Sequence, residues 1–417
     1  MMLSLNMLNL LVWIAWAIVL LWLVAAALTL LGLQRQRPLQ ITSDESLKTK
    51  NAPLVSILVP ARNEEKRVLA KALRSMLAQD YGNFEIIAVN DRSVDRTGAI
   101  LYQLAREDTR LHVIDGAEPP RGWLGKPFAL QQALRAARGA WILATDADMI
   151  FEKEALRTAV ACALFGRFDV VTLIPRVLCL TFWEHVFMPT FGWFMVMVLP
   201  VHLVNDPARP EALGVGGFFM IRHDFLRRIG GYGAVRAEVA EDLRMAEILK
   251  GAGARLRLEY APDLARTRMQ TNFREIWEGF TKNLFAGTRF SLWKAILGGT
   301  AVLLFAVAPP IFAVGCAASL LFAASLNSLQ FFIPLSLVYI IEVAIFALIN
   351  RRSNVPIIYA FTVPLGHALF LAILVNSALR IATGRGVTWK GRKLYERAGV
   401  SPPRGRQTTS NLPIADE

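Results

Sequence analysis

Trp141-Ile142-Leu143-Ala144-Thr145-Asp146-Ala147-Asp148 is a run of four apolar residues that leads straight into two carboxylates. The apolar part reads as a short strand. Two acids placed two residues apart at its end repel each other unless a cation joins them. Oxygen-only ligands of this kind imply a hard divalent ion such as Mg²⁺ or Mn²⁺. An ion held there would grip a diphosphate and neutralise the charge that builds on it as a leaving group.

Outward from this stretch, strand-like and helix-like periods alternate. Val55–Val59, Phe84–Val89, Leu111–Ile114 and Val170–Ile174 read as strands, and Glu64–Ala78, Arg96–Ala105, Phe128–Ala137 and Glu152–Phe165 as helices. Such alternation predicts a mostly parallel sheet with helices on both faces, and ligands outside the carboxyl ends of its strands. Polar residues gather at those ends: Pro60-Ala61-Arg62-Asn63-Glu64-Glu65, then Asn90-Asp91-Arg92-Ser93-Val94-Asp95-Arg96-Thr97, then Asp146 and Asp148. Taken singly, each is also compatible with a solvated turn, and Ser93 or Asp95 suits an N-cap for the helix at Arg96. Three such clusters at one edge exceed what packing needs. Further on, Gly214-Val215-Gly216-Gly217-Phe218 forms a glycine-rich turn that lets backbone approach a ligand, and Gly230-Gly231-Tyr232 reads as a helix stop. Glu241 and Asp242 open a helix running to Lys250, where acids serve either the helix dipole or chemistry.

The composition says what surrounds this body. Of 417 residues 54% are hydrophobic and 19% charged, with a mean hydropathy of +0.40. An ordinary soluble protein is excluded, because globular chains run nearer a quarter charged. Forty-six basic against 33 acidic residues give a net charge of +13. With so much apolar sequence, an anionic membrane surface fits that charge better than nucleic acid. Cys162, Cys179 and Cys316 lack metal-ligand spacing and are odd in number, which excludes disulfide and zinc scaffolds. His112, His185, His202, His223 and His367 are scattered without metal spacing.

The apolar length lies at both ends. Leu8–Leu33 is uncharged and long enough to span a bilayer. It is too long for a signal peptide, and Arg35, Arg37, Lys48 and Lys50 follow it, which places the next segment in the cytosol. Ile296–Leu326, Phe331–Ile349 and Val355–Ile381 also reach spanning length. Three crossings would leave the C-terminal end outside. That end carries Arg380, Arg385, Lys390, Arg392, Lys393, Arg397, Arg404 and Arg406 against Glu396, a composition that belongs in the cytosol. The charge outweighs the count, so one of the three is expected to be re-entrant or in-plane, with Pro309-Pro310 as the break. The Pro/Arg/Ser-rich end past Val400 reads as disordered.

In this order and spacing the motifs resemble the family 2 glycosyltransferases over most of Val55–Tyr260. The matching pieces include Pro60-Ala61-Arg62-Asn63-Glu64, Asn90–Thr97, Gly125-Lys126, Asp146-Ala147-Asp148, Gly216-Gly217 with Arg222, Gly230-Gly231-Tyr232 and Glu241-Asp242. The resemblance implies an α/β GT-A fold, the Rossmann-like mixed sheet of nucleotide-diphospho-sugar transferases, and sugar transfer with inversion. Carried over by position, Asp91 contacts the base, Arg62 and Glu64 lie near base and ribose, and Lys126 lies near the diphosphate. Asp95, Gly216 and Gly217 fall on the donor side. Asp146 and Asp148 form the metal pair, Asp148 more directly, and Asp242 sits at the general base with Glu241 beside it. That assignment suits an inverting displacement: one carboxylate takes the acceptor's proton while a metal stabilises the leaving phosphate. Membrane members often carry Gln/Arg-x-x-Arg-Trp after the base. Here Gln270-Thr271-Asn272-Phe273-Arg274-Glu275-Ile276-Trp277 has the residue types without the spacing, leaving Arg274 and Trp277 as candidate cover for diphosphate and acceptor. The missing spacing weakens the case for a processive polymer synthase.

Phe273, Ile276, Trp277, Phe280, Leu284 and Phe285 recur at helical intervals, so an amphipathic helix is expected, either in the domain core or in the membrane plane. Phe182–Val204 is apolar and aromatic, but catalytic motifs flank it on both sides, so it cannot cross once and is expected to lie against the headgroups. Thr388-Trp389-Lys390-Gly391-Arg392-Lys393-Leu394-Tyr395 looks like a stretch near the end of ceramide glucosyltransferase-like and hopanoid- or carotenoid-associated transferases. It folds back near the donor phosphates on one reading, and binds anionic lipid on the other.

The expected organisation is an anchor and linker over 1–50, a cytosolic catalytic domain with interfacial helices over 51–290, a transmembrane region over 291–382 and a basic cytosolic tail over 383–417. The expected activity is metal-assisted transfer of a sugar from a nucleotide-sugar, a UDP-sugar, to a lipid acceptor at a cell inner membrane. No nucleic acid takes part. The rivals are a polysaccharide synthase and a non-catalytic scaffold or transporter subunit; against the latter, the predicted spans carry one acidic residue, Glu342, for a relay.

Overall fold

The computed structural model describes residues 2–323 and 326–396; the expectations for Arg397, Arg404, Arg406 and the end past Val400 lie outside them. The chain forms two compact units. One comprises Arg37–Leu178, Leu199–Met269 and the segment from Arg380 onward; the other comprises the residues up to Gln36, Cys179–Val198 and Gln270–Leu379. The segment expected as catalytic, 51–290, is thus shared between them.

The first unit is built on a seven-stranded sheet. Its strands are β1 (Val55–Ala61), β2 (Phe84–Asn90), β3 (Leu111–Asp115), β4 (Trp141–Ala144), β6 (Val170–Ile174), β8 (Phe219–Arg222) and β9 (Leu256–Tyr260), in the order β3-β2-β1-β4-β8-β6-β9. All neighbours are parallel except β8, which runs antiparallel to β4 and β6. The strand period of two divides the core into layers. Ile57, Val59, Ile86, Ala88, Leu143 and Met220 pack on one face, and Leu58, Ile87, Val89, Ile142, Phe219 and Ile221 on the other. Pro60 lies inside β1 without interrupting it: pairing with β4 stops at Leu58, while pairing with β2 continues to Ala61. A residue lacking an N–H is tolerated where one side of the ladder has ended.

A small sheet of β5 (Met149–Phe151), β10 (Ala265–Thr267) and β7 (Arg176–Val177) and a hairpin of β11 (Arg385–Trp389) and β12 (Arg392–Glu396) complete the unit. The helix expected from Glu64 begins only at Leu69. The intervening backbone is tied to the loop after β2, since Glu64 N–H donates to Thr97 Oγ1 and Glu65 N–H to the Asp95 carboxylate. The helix Gly125–Ala136 starts three residues before the expected Phe128, with Pro127 in its first turn, where a missing N–H costs nothing.

The second unit is helical. Four helices are long and apolar enough to cross a membrane: Met7–Arg35, Leu292–Leu321, Ser328–Arg352 and Ile357–Ala382. The break expected at Pro309-Pro310 does not occur. A π-helical turn over Leu303–Val307 precedes the prolines, which fall in the first turn of Ala308–Ala323, and the helix runs on through them. Phe182–Val198 and Phe273–Gly287 are helices of this unit. The second buries Ile276, Phe280, Leu284 and Phe285 of the expected stripe together with Gly279 and Thr281, whereas Phe273 is exposed and Trp277 only half-buried.

Candidate active site

The sheet brings most of the singled-out residues to one edge. Asp91 follows the last residue of β2, and the loop leading to Asp146 and Asp148 follows β4. Arg62 and Glu64 follow β1. Arg62 Nη1 donates to the carbonyls of Asp91 (2.7 Å) and Arg92 (3.0 Å), which locks the first two loops together. Asp95 serves that same junction: its carboxylate accepts from Thr97 N–H and Oγ1 and from Glu65 N–H. The helix runs over Thr97–Glu107 with Arg96 as its N-cap and no side-chain cap bond, so Asp95 ties the two loops together rather than capping it.

At the floor of the cleft, Lys126 Nζ lies 2.7 Å from Asp146 Oδ1 and 2.6 Å from Glu241 Oε1. Burial disfavours its charge, yet Asp146, Glu241 and Asp242 together hold the ammonium well above its ordinary pKa. Glu241 is buried, and burial raises its pKa against the pull of Lys126. Asp242 is held by backbone: Oδ2 accepts from Gly216 N–H at 2.7 Å and Oδ1 from Leu243 N–H at 2.7 Å. Two N–H donors fix the direction of its carboxylate. Gly216 is small for a reason, since a Cβ there would stand 2.9 Å from Asp242 Oδ2 and 3.3 Å from Lys126 Nζ. A Cβ on Gly217 would press on Met149 Sδ at 2.7 Å. The glycine turn thus brings backbone close to the candidate base and to the core.

Asp148 lies 3.4 Å from Arg67 Nη1 and 3.5 Å from Thr267 Oγ1. Burial, then Asp146 and Glu64, push its pKa up to about 6, against Arg67 and Lys390. The site therefore concentrates negative charge that a bound cation would relieve. Among the described residues no three His, Cys, Asp or Glu side chains gather to hold a metal ion. Asp146 and Asp148 supply oxygen donors of the right kind, and an ion bound by them needs its other ligands from donor phosphate and water.

Arg274 and Trp277 belong to the helical unit. Arg274 is exposed and pairs with Glu278 at 3.2 Å, and Trp277 packs beside Phe273. One feature was absent from the sequence-based site, and a second was there only as one of two readings of the basic tail. The Tyr232 hydroxyl is buried without a hydrogen-bond partner and lines a pocket with Lys126, Gly216, Glu241 and Asp242. The Gly-Gly-Tyr signal marked its turn but not its ring. Lys390 and Arg392 reach Glu64 and Asp91 from the C-terminal hairpin; Trp-Lys-Gly-Arg was the available signal.

Comparison with known proteins bears on the family and the fold. The family described as "Glycosyl transferase family 2" matches residues 56–230. The chain is 30% identical over 200 residues to the probable glycosyltransferase YdaM of Bacillus subtilis, covering 44% of each chain. It is 26% identical over 352 residues to a 4,4'-diaponeurosporenoate glycosyltransferase of Staphylococcus aureus, covering 82% of this chain and 88% of the relative. Among solved structures, a mannosyltransferase of Pyrobaculum calidifontis in complex with GDP-Man and Mn²⁺ superposes with a TM-score of 0.51 at 20% identity, over 89% of this chain and 98% of the other. That likeness shows the GT-A fold.

Proposed function

Since residues 56–230 belong to glycosyl transferase family 2, we propose that this protein is a membrane-bound glycosyltransferase that moves a sugar from a nucleotide-sugar to a lipid acceptor with inversion. The observation that carries the reading is the convergence of Lys126, Asp146, Glu241 and Asp242 at one edge of the sheet. Asp242 takes the proton of the acceptor hydroxyl as its oxygen attacks the anomeric carbon. The bond from that carbon to the phosphate oxygen breaks on the opposite face. Glu241, kept on Lys126, holds the ammonium beside Asp146 at the donor's side of the cleft. A divalent ion on Asp146 and Asp148, when bound, stabilises the departing diphosphate. The base and ribose fall to Asp91, Glu64 and Arg62.

Four long apolar helices and the similarity to a carotenoid glycosyltransferase support an acceptor drawn from the bilayer. The basic residues flanking the first helix, Arg35 and Arg37, support a catalytic unit in the cytosol at a cell inner membrane. The test is a donor screen on membranes containing the protein, with UDP- and GDP-sugars, Mg²⁺ or Mn²⁺, and mass spectrometry of the lipid products. A labelled lipid is expected with wild type. Asp242→Asn is expected to cut turnover by about 10²–10⁴-fold, the usual worth of a general base, while nucleotide binding survives. Turnover near wild type in that variant would overturn the base assignment.

A further inference from the structure

Glu64 and Asp91 already carry cations, and those cations come from the other end of the chain. Lys390 Nζ contacts Glu64 Oε1 and donates to the Arg62 carbonyl at 3.1 Å. Arg392 Nη1 donates to Asp91 Oδ2 at 2.9 Å. The partners lie 326 and 301 positions apart in sequence. Both cations stand at the tip of the β11–β12 hairpin. Its two-residue turn, Lys390-Gly391, has φ of 46° and 77° and joins Trp389 to Arg392, the all-positive pattern that matches strand twist in tight hairpins.

The root of the hairpin is attached differently. Val387 is fully buried. The buried Tyr395 hydroxyl donates to the Ala237 carbonyl at 2.8 Å and accepts from Val239 N–H at 3.0 Å. Neutral contacts therefore hold the root, and ion pairs hold the tip. Arg392 also crowds Gly125, where a Cβ would come within 2.5 Å of Nη1. The tip thus stands beside both Asp91 and the residue that precedes Lys126.

A nucleoside diphosphate brings several negative charges into this acidic cleft. Lys126 is already shared by Asp146 and Glu241, and Arg67 is engaged with Asp148 and the Met269 carbonyl. Lys390 and Arg392 differ, because their present partners are the two acids assigned to base and ribose. The neutral N–H and O–H groups of a nucleoside can replace the cations on those acids. The displaced ammonium and guanidinium then pair with phosphate, so two positive charges are set against the incoming diphosphate.

We propose that Lys390 and Arg392 are the donor-diphosphate ligands of this protein, parked on Glu64 and Asp91 until a nucleotide arrives. The inference rests on the nucleotide-sugar reading above. It also gives this chain a source for the cation that the Gln270–Trp277 stretch does not present at the family's spacing.

The experiment uses the full-length protein in detergent with Mn²⁺, and UDP, GDP, uridine and guanosine as probes. In the Lys390→Gln/Arg392→Gln variant, affinity for the diphosphate that wild type binds is expected to fall at least tenfold. Affinity for the matching bare nucleoside is expected to hold or rise, because the competing cations are gone. Lys390→Arg/Arg392→Lys keeps both charges and is expected to retain most diphosphate affinity. Diphosphate affinity within twofold of wild type in the glutamine variant overturns the proposal. A parallel loss of nucleoside and diphosphate binding also overturns it, since the hairpin would then be scaffolding alone. If neither diphosphate binds wild type, the nucleotide-sugar reading fails and takes this inference with it.

Discussion

Gly216 and Asp242 illustrate how single atoms decide the chemistry. A base must begin ionised and point at the proton it will take. The Gly216 and Leu243 N–H groups fix where the Asp242 carboxylate points. Gly216→Ala places a methyl group 2.9 Å from Oδ2, so the carboxylate must move. A displacement of about 1 Å costs on the order of 10²-fold in rate; kcat is therefore expected to fall by about that factor with nucleotide affinity within about twofold, read by calorimetry beside turnover. At Asp148 the expectation is the reverse. Asp148→Ala removes an oxygen donor and leaves Arg67 without that partner, so metal-dependent nucleotide binding is expected to vanish. Unchanged calorimetric binding in the presence of Mn²⁺ would refute the metal role.

Strand β2 carries a buried acid that stitches three segments together. Glu85 accepts from Ser56 Oγ on β1 (2.7 Å), from Arg138 N–H (3.0 Å) and from the Arg138 guanidinium (2.6 and 3.0 Å). Burial disfavours its charge, but Arg138 and Ser56 outweigh it and lower the pKa below its ordinary 4.5. A lowered carboxylate pKa contributes stability that is complete above the unfolded value and lost as pH falls through the folded one. Glu85→Gln is therefore expected to cost about 1–3 kcal/mol near pH 7 and progressively less below about pH 4, measured by denaturant unfolding across pH. The main strands were legible because burial on both faces writes continuous apolar runs, as in Val55–Val59 and Trp141–Ala144. β5, β7 and β10 were not, since two or three residues are too few to show a period. The late start of the helix at Leu69 was hidden because it depends on Thr97 and Asp95, some thirty residues away. The acids of the site were legible as clusters at strand ends, whereas Tyr232 matters through where its ring lands, which no local pattern records.

For the whole molecule, the membership of the C-terminal hairpin bears on the conflict between charge and span count. The segment from Arg380 belongs to the same unit as the sheet. We expect the chain between 291 and 385 to cross the bilayer an even number of times. Helix Val363–Ala382 is the expected exception. Gly366 packs closely on Val186 and Thr190 of the helix Phe182–Val198, and Asn376 and Ser377 hydrogen-bond Thr281 of the amphipathic helix Phe273–Gly287. We expect these three to form one layer in the membrane plane. In a background lacking Cys162, Cys179 and Cys316, Ser353→Cys and Lys393→Cys are expected to react with an impermeant maleimide from the same side of sealed vesicles. Labelling from opposite sides would show that 357–382 crosses.

The ion pairs at the hairpin tip also fix an order of manufacture. Ribosomes lay down Glu64 and Asp91 long before the two residues that neutralise them, Lys390 and Arg392. A premature stop codon just past Ala382 would spare every strand of the large sheet and every apolar helix while deleting both cations at once. Damaging variation in the gene should consequently extend further toward its 3′ end than the architecture alone demands.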